Sequence, residues 1–109
     1  MSGSETHGDR LASLVDIDRL IHEPARLTIL AFLTVVDSAD FVFLMRQTGL
    51  TWGNLSSHMS KLEEAGYIQV EKEFRGRKPY TMLHLTQEGR VAFQEYRHRL
   101  RQVLDDLPD

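Results

Sequence analysis

Between Thr51 and Ala65 the sequence places small and polar residues, Gly53, Asn54, Ser56, Ser57, Ser60 and Lys61, around an apolar series Leu55, Met59 and Leu62. The apolar three recur at i, i+4 and i+7, the spacing of one helical face, so the polar set must occupy the others. A face of short side chains can approach a base edge or a phosphate closely, where long acidic ones could not. Asparagine can pair with adenine, serine can donate or accept, and lysine reaches guanine or phosphate. Glu63 and Glu64 fall at the far end, away from the N-terminus, whose free N–H groups add positive potential towards a phosphate. The same face also reads as ordinary solvated helix surface, although serine-rich stretches contribute little helix stability. Trp52, in the first turn, suits either packing against the preceding segment or contact with DNA sugars or a thymine methyl. His58, beside the apolar stripe, suits either the edge of the core or base reading.

A second cluster is cationic. Arg75, Arg77 and Lys78 lie within four residues around Gly76, with Lys72 just before them and Arg46 ahead of the polar helix. These side chains suit backbone phosphates or a neighbouring minor groove; a solvated hairpin tip is the plainer reading. The whole chain is acidic, with 13 Lys plus Arg against 16 Asp plus Glu and a net charge of -3. That excludes a globally basic nucleic-acid binder but not a local basic surface. Residues 1–45 hold three basic and seven acidic side chains, residues 46–78 six and four, and residues 79–109 four and five. Only the middle segment is net positive, and Glu71 and Glu73 temper it.

Other chemistry is missing from the sequence. Without cysteine there are no thiolate metal sites, disulfides or thiol nucleophiles. The histidines, His7, His22, His58, His84 and His98, form no close ligand pair and no HExxH; His22 and His98 with Asp105 or Asp106 are the nearest approach to a ligand set. There is no glycine-rich phosphate loop, and Ser56, Ser57 and Ser60 have no base at a recognisable spacing. The expectation is therefore no enzyme, no cofactor and no metal. The longest apolar-rich run, Leu27 to Val36, is too short for a membrane span. The first residues lack the basic-then-apolar order of a signal peptide. A cytoplasmic protein without membrane contact is expected.

These groups need elements to position them. A length of 109 residues suits one domain. Residues 1–8 read as a disordered tail. Apolar spacing predicts a helix over 9–22, ended by Glu23-Pro24. A second, apolar almost all round, runs from Pro24 to Val36 and should be the buried centre. Ser38 is a candidate cap for a short helix carrying Phe41, Val42, Leu44 and Met45, stopped by Gly49. Thr51 caps the polar helix over 52–65. Two alternating runs, 67–73 and 80–85, make a β-hairpin around the tip Arg75–Pro79, anchored by Ile68, Val70, Leu83 and Leu85. Thr86 caps a last helix over 87–106. In it Phe93, Tyr96, Leu100, Val103 and Leu107 step by three and four, a heptad-like seam that asks for a partner. Leu11, Leu14, Ile17 and Ile21 offer one, so the two end helices are expected to form a dimer interface.

Three runs carry a family resemblance: EPARLTILAFL from Glu23, TGLTWGNLSSHMSKLEEAGYI from Thr48 and VEKEFRGRKPYTMLHLTQEG from Val70. Together they resemble the winged helix-turn-helix regulators of the ArsR/MarR-like superfamily, in its small stand-alone form. The resemblance implies a mainly α (α+β) fold, with four helices, a β-hairpin wing and a C-terminal dimerisation helix. It implies a homodimeric cytoplasmic regulator, commonly a repressor, on double-stranded DNA with an inverted-repeat operator. Trp52, Gly53, Asn54, Ser56, Ser57, Ser60 and Lys61 would enter the major groove; Arg46, Lys72, Arg75, Arg77 and Lys78 would meet the backbone. Metal-sensing members hold ligands near the first helix of the DNA-reading pair, but Asp40 to Gln47 here has neither Cys nor His. A small-molecule effector, as in MarR-like relatives, would have only the layer between the end helices and the core. The rival reading is a winged-helix module that binds a protein partner instead of DNA.

Overall fold

The computed structural model describes residues 16–109. Helix α1 (Pro24–Val36) begins at Pro24, whose fixed φ and missing N–H suit a first helical position. The Glu23 carboxylate caps it, accepting from the Arg26 N–H at 2.8 Å. Ile29, Leu30 and Leu33 are fully buried, as a centrally packed helix requires. The helix stops at Asp37, which takes a left-handed φ of 66° and turns the chain into a short strand.

That strand, β1 (Ser38–Asp40), was not foreseen. Ser38 does not cap the following helix; Asp40 does, its carboxylate accepting from Phe43 N–H at 3.1 Å. The reason is non-local. Ser38, Ala39 and Asp40 pair antiparallel with His84, Leu83 and Met82, a partner over forty residues away that local periodicity does not reveal. Helix α2 (Phe41–Thr48) buries Phe41 and Leu44 and ends at Gly49, with φ 71°. A turn of three residues leads to helix α3 (Trp52–Glu64), where Thr51 Oγ accepts from Asn54 N–H at 3.2 Å. Leu55 and Leu62 are fully buried and Met59 half-buried, so the apolar stripe faces the core as its spacing requires.

Strands β2 (Ile68–Arg75) and β3 (Lys78–Leu85) form the hairpin, and the sheet order is β1-β3-β2. The strands run further than their alternation suggests. Pairing extends to Arg75 opposite Lys78, leaving Gly76 and Arg77 as a two-residue turn. Gly76, with φ 66°, supplies the positive dihedral such a tight turn needs at its first position. Pro79 is tolerated in β3 because β1 reaches only Met82 to His84, leaving that side of β3 unpaired at Pro79. Ile68 and Leu83 are buried, with Val70 and Leu85 packed beside them.

Helix α4 (Gln87–Asp106) starts at the Thr86 cap. Gly89 in its first turn lies against the Tyr67 carbonyl, so closely that a Cβ would stand 2.1 Å from that oxygen. The main hydrophobic cluster takes in Phe93, Tyr96 and Leu100 of α4 and nothing beyond them.

The helix expected over 9–22 is not continued through its last residues; 9–15, like the 1–8 tail, lie outside the described residues. Residues 16–22 form turns. Asp18 Oδ1 accepts from the N–H groups of Leu20 and Ile21 at 2.9 and 3.2 Å, a local bond that competes with helix. Its other oxygen accepts from Tyr67 Oη at 2.6 Å. Ile17 and Ile21 still reach the core. None of the described helices is long and apolar enough to cross a membrane.

Candidate nucleic-acid interface

Helix α3 is fixed from behind and open in front. Behind it, Leu55 and Leu62 anchor in the core, and the mostly buried Arg26 clamps its flank. The Arg26 guanidinium donates to the Leu20 carbonyl at 2.5 Å and to His58 Nδ1 at 3.0 Å, with Glu23 4.0 Å away. His58 is thereby turned towards the start of α1; it is a core-edge residue. Burial works against the Glu23 charge, but the N–H groups of Arg26 and Ala25 at the helix start, with His58 and the Arg26 cation, hold its carboxyl below the usual value. Sequence reading passed over Arg26, because a lone cation in an apolar helix gives no spacing signal.

In front, Gly53, Asn54, Ser57, Ser60 and Lys61 are exposed and Ser56 is half-buried. A Cβ at Gly53 would meet nothing within 4 Å, so nothing in the chain itself demands glycine there. Trp52 joins both roles left open for it. Its ring packs on Phe41 of α2, centroids 4.5 Å apart, yet 61% of the residue stays accessible.

The wing approaches the same corner. A cleft of about 600 Å³ opens between α2, the start of α3 and the hairpin, lined by Phe41, Val42, Trp52, Pro79, Tyr80 and Thr81 and by the charged Asp40, Arg46, Lys72 and Lys78. Three cations thus meet one carboxylate in a concave wall. Asp40 Oδ2 is spent on capping α2, and its Oδ1 is buried without a hydrogen-bond partner. Arg75 and Arg77 stand at the exposed tip, outside the cleft; Arg75 lies over the Tyr80 ring, 4.9 Å from its centroid. Ser57 and Lys61 do not line the cleft either. Arg46, Lys61, Lys72, Arg75, Arg77 and Lys78 take part in none of the ion pairs seen among the described residues.

The residues expected at a dimer interface are placed differently. Leu11 and Leu14 lie outside the described residues. Ile17, Ile21, Phe93, Tyr96 and Val103 are buried within a single chain, Leu100 is half-buried, and only Leu107 is exposed. The seam along α4 is therefore largely filled by its own chain. Val91, Leu104 and Leu107 are the large apolar side chains that α4 and its cap leave exposed.

His22 is occupied, its Nδ1 2.8 Å from Tyr96 Oη, rather than paired with His98. One set of metal-type donors does come together among the described residues, in the wing sheet: Glu71, Glu73 and His84, whose donor atoms all lie within 4.8 Å of one another. Sequence spacing gave no sign of it, because His84 arrives from the opposite strand.

The family described as "Winged helix DNA-binding domain" matches residues 25–104. An uncharacterized protein of Methanocaldococcus jannaschii is 33% identical over 89 residues, covering 82% of this chain and 97% of that one. Among solved structures, a transcriptional regulator homologue from Pyrococcus horikoshii OT3 is 30% identical, with a TM-score of 0.82, over 91% of this chain and 99% of the other. The PcaV transcriptional regulator from Streptomyces coelicolor, solved with its natural ligand, shares the fold alone. It is 16% identical, with a TM-score of 0.69, over 94% of this chain and 72% of the other.

Proposed function

The chain belongs to the winged helix DNA-binding family, close to the MarR- and ArsR-type transcriptional regulators, and from that premise we propose that it is a homodimeric repressor acting on an inverted-repeat operator in double-stranded DNA, in the cytoplasm. The observation that carries this reading is the cleft in which Arg46, Lys72 and Lys78 converge beside the exposed start of α3. A phosphate seated there would hold the duplex against the N-terminal turns of α3. Trp52, Gly53, Asn54, Ser56, Ser57, Ser60 and Lys61 would then read base edges, with Arg75 and Arg77 on the adjoining backbone.

The dimer is part of the proposal. Residues 101–106 of α4 run on beyond the main core cluster, and Leu104 and Leu107 are exposed on that extension. Pairing two such ends would set two copies of α3 on successive major grooves, roughly 34 Å apart. A small-molecule effector belongs to the same reading. A cavity of about 300 Å³ lies between the 16–18 turn, Tyr67 and α4, lined by Ile17, Asp18, Tyr67, Glu95, Tyr96 and Arg99 among others. It occupies the layer in which sequence reading looked for an effector.

The test is a titration against genomic DNA fragments at several salt concentrations, with sedimentation of the free protein in parallel. Expected are a dimer, binding that weakens as salt rises, and a footprint with two-fold symmetry. Asn54→Ala or Ser57→Ala should change which fragments are preferred. Salt-independent or absent binding refutes the proposal and favours a protein-binding module. For that rival the exposed apolar patch of Phe32, Val35, Val36 and Phe43 would be the natural contact.

A further inference from the structure

The outer face of the wing sheet carries a group of donors that DNA contact does not explain. Glu71 and Glu73 stand two residues apart on β2 and so share a face of the strand. His84 comes from β3, where its register partner is Gln69, two residues before Glu71. The imidazole is aimed between the two carboxylates. His84 Nε2 lies 3.6 Å from Glu71 Oε2 and 3.7 Å from Glu73 Oε1.

Both separations are too long for hydrogen bonds, which for N–H···O end near about 3.2 Å. His84 Nε2 is nonetheless buried and has no hydrogen-bond partner. A buried nitrogen left unpaired while facing two carboxylates is costly as it stands. The distances instead match two edges of a coordination polyhedron. Four donors at about 2.0–2.2 Å from one metal ion, arranged tetrahedrally, stand roughly 3.3–3.6 Å from each other. Closing the gap needs movements of a few tenths of an ångström by two exposed glutamate side chains.

The imidazole is also held in the orientation a ligand needs. Its other nitrogen, Nδ1, is 2.6 Å from Ser38 Oγ on β1, whose residues pair with β3 on the side opposite β2. A hydrogen bond at the far ring nitrogen fixes ring rotation and tautomer, the usual arrangement behind a metal-bound histidine. The three strands of the sheet thus each contribute: two carboxylates from β2, the imidazole from β3, the orienting hydroxyl from β1.

We infer that Glu71, Glu73 and His84 form a binding site for a first-row divalent transition cation, with solvent in the remaining position. One imidazole and two carboxylates are borderline-to-hard donors without thiolate, a set suited to zinc and its neighbours. The site is separate from the cleft of Arg46, Lys72 and Lys78 and does not depend on DNA binding.

The experiment uses the full chain, stripped with a chelator and free of DNA, titrated with zinc by calorimetry. Expected is saturable binding of one zinc per chain. Glu71→Gln, Glu73→Gln and His84→Gln should each weaken it by more than tenfold. Ser38→Ala should weaken it about tenfold while leaving every ligand in place, the scale of a lost outer-shell partner. Nitrogen-15 spectra should show zinc shifting His84 Nε2 and no other histidine nitrogen to a comparable extent. All four substitutions are at exposed or half-buried positions, and circular dichroism will verify that each variant is folded. Absence of saturable binding overturns the inference, as does equal affinity in all variants or a zinc-induced shift at a different histidine. In those cases the cluster is only an ion pair between an imidazolium and two carboxylates.

Discussion

Removing the two cations nearest the wing turn gives the sharpest test of how this chain would hold DNA. Arg77 sits in the two-residue turn and Lys78 opens β3 at the rim of the cleft; both are exposed and neither enters an ion pair among the described residues. Replacing both with glutamine should therefore leave the fold intact, and a thermal melt should be unchanged. If each cation neutralises one phosphate, a dimer loses four contacts. Each contact carries a slope of about 0.9 in log K against log salt, so the slope should fall by about 3.6. At about 0.15 M salt the same relation makes each contact worth roughly fivefold, so affinity should drop by about a thousandfold. The loss should be similar for preferred and unrelated sequences, since phosphate contacts carry no base information. Fluorescence anisotropy of a labelled fragment between about 50 and 200 mM salt measures both quantities. An unchanged slope refutes the placement of the wing on the backbone. A slope reduced by only about 1.8 refutes the dimer, because a single wing would then be engaged.

Three further outcomes test the scaffold. Arg26→Ala leaves the Leu20 carbonyl and His58 Nδ1 without their donor, so unfolding stability should fall by about 2–4 kcal/mol; a thermal or urea melt that loses less than about 1 kcal/mol contradicts the clamp. Gly89→Ala separates propensity from packing. Helix propensity alone predicts a gain of about 1 kcal/mol, whereas a Cβ 2.1 Å from the Tyr67 carbonyl oxygen predicts a net loss, and the sign of the shift in melting temperature decides. Burial, the hydrogen bond to Asp18 and nearby carboxylates push the Tyr67 hydroxyl from 10.0 up to about 12. Because its folded value is the higher one, its contribution is present in full below pH 10 and lost as pH rises towards 12; Tyr67→Phe should lack that alkaline loss, read from urea melts across the range.

Helix ends were legible wherever a local hydrogen bond sets them. Thr51, Thr86 and Gly49 mark their boundaries because the cap and the backbone it serves lie within one turn. Asp40 displaced Ser38 as a cap because Ser38 is drawn into pairing with His84, a choice made by distant sequence. Residues 16–22 carry the apolar spacing of a helix, but Asp18 bonds to the N–H groups just after it and to Tyr67, and that local alternative wins. The seam Phe93, Tyr96, Val103 shows a different limit. Periodicity identified a buried face correctly but could not say which chain buries it, and most of that face is covered within one chain. In the site, α3 was legible because its polar residues are contiguous. The cleft was not, since Arg46, Trp52, Lys72 and Lys78 meet only once the hairpin folds back towards α2.

The same folding gives the hairpin two electrostatic characters. Lys72 and Lys78 look into the cleft beside Arg46, while Glu71 and Glu73 gather around His84 away from it. Alternation along β2 forces this division, because neighbouring residues of a strand point to opposite faces. A polyanion approaching the wing is therefore drawn to one face and turned from the other, so the wing is oriented before any base is read. The net charge of -3 acts in the same direction. A chain repelled by phosphate everywhere except one cleft and one helix start gains little from unspecific contact, and the difference between right and wrong sequences is correspondingly larger. Selectivity in this fold then comes as much from where the carboxylates stand as from where the cations do.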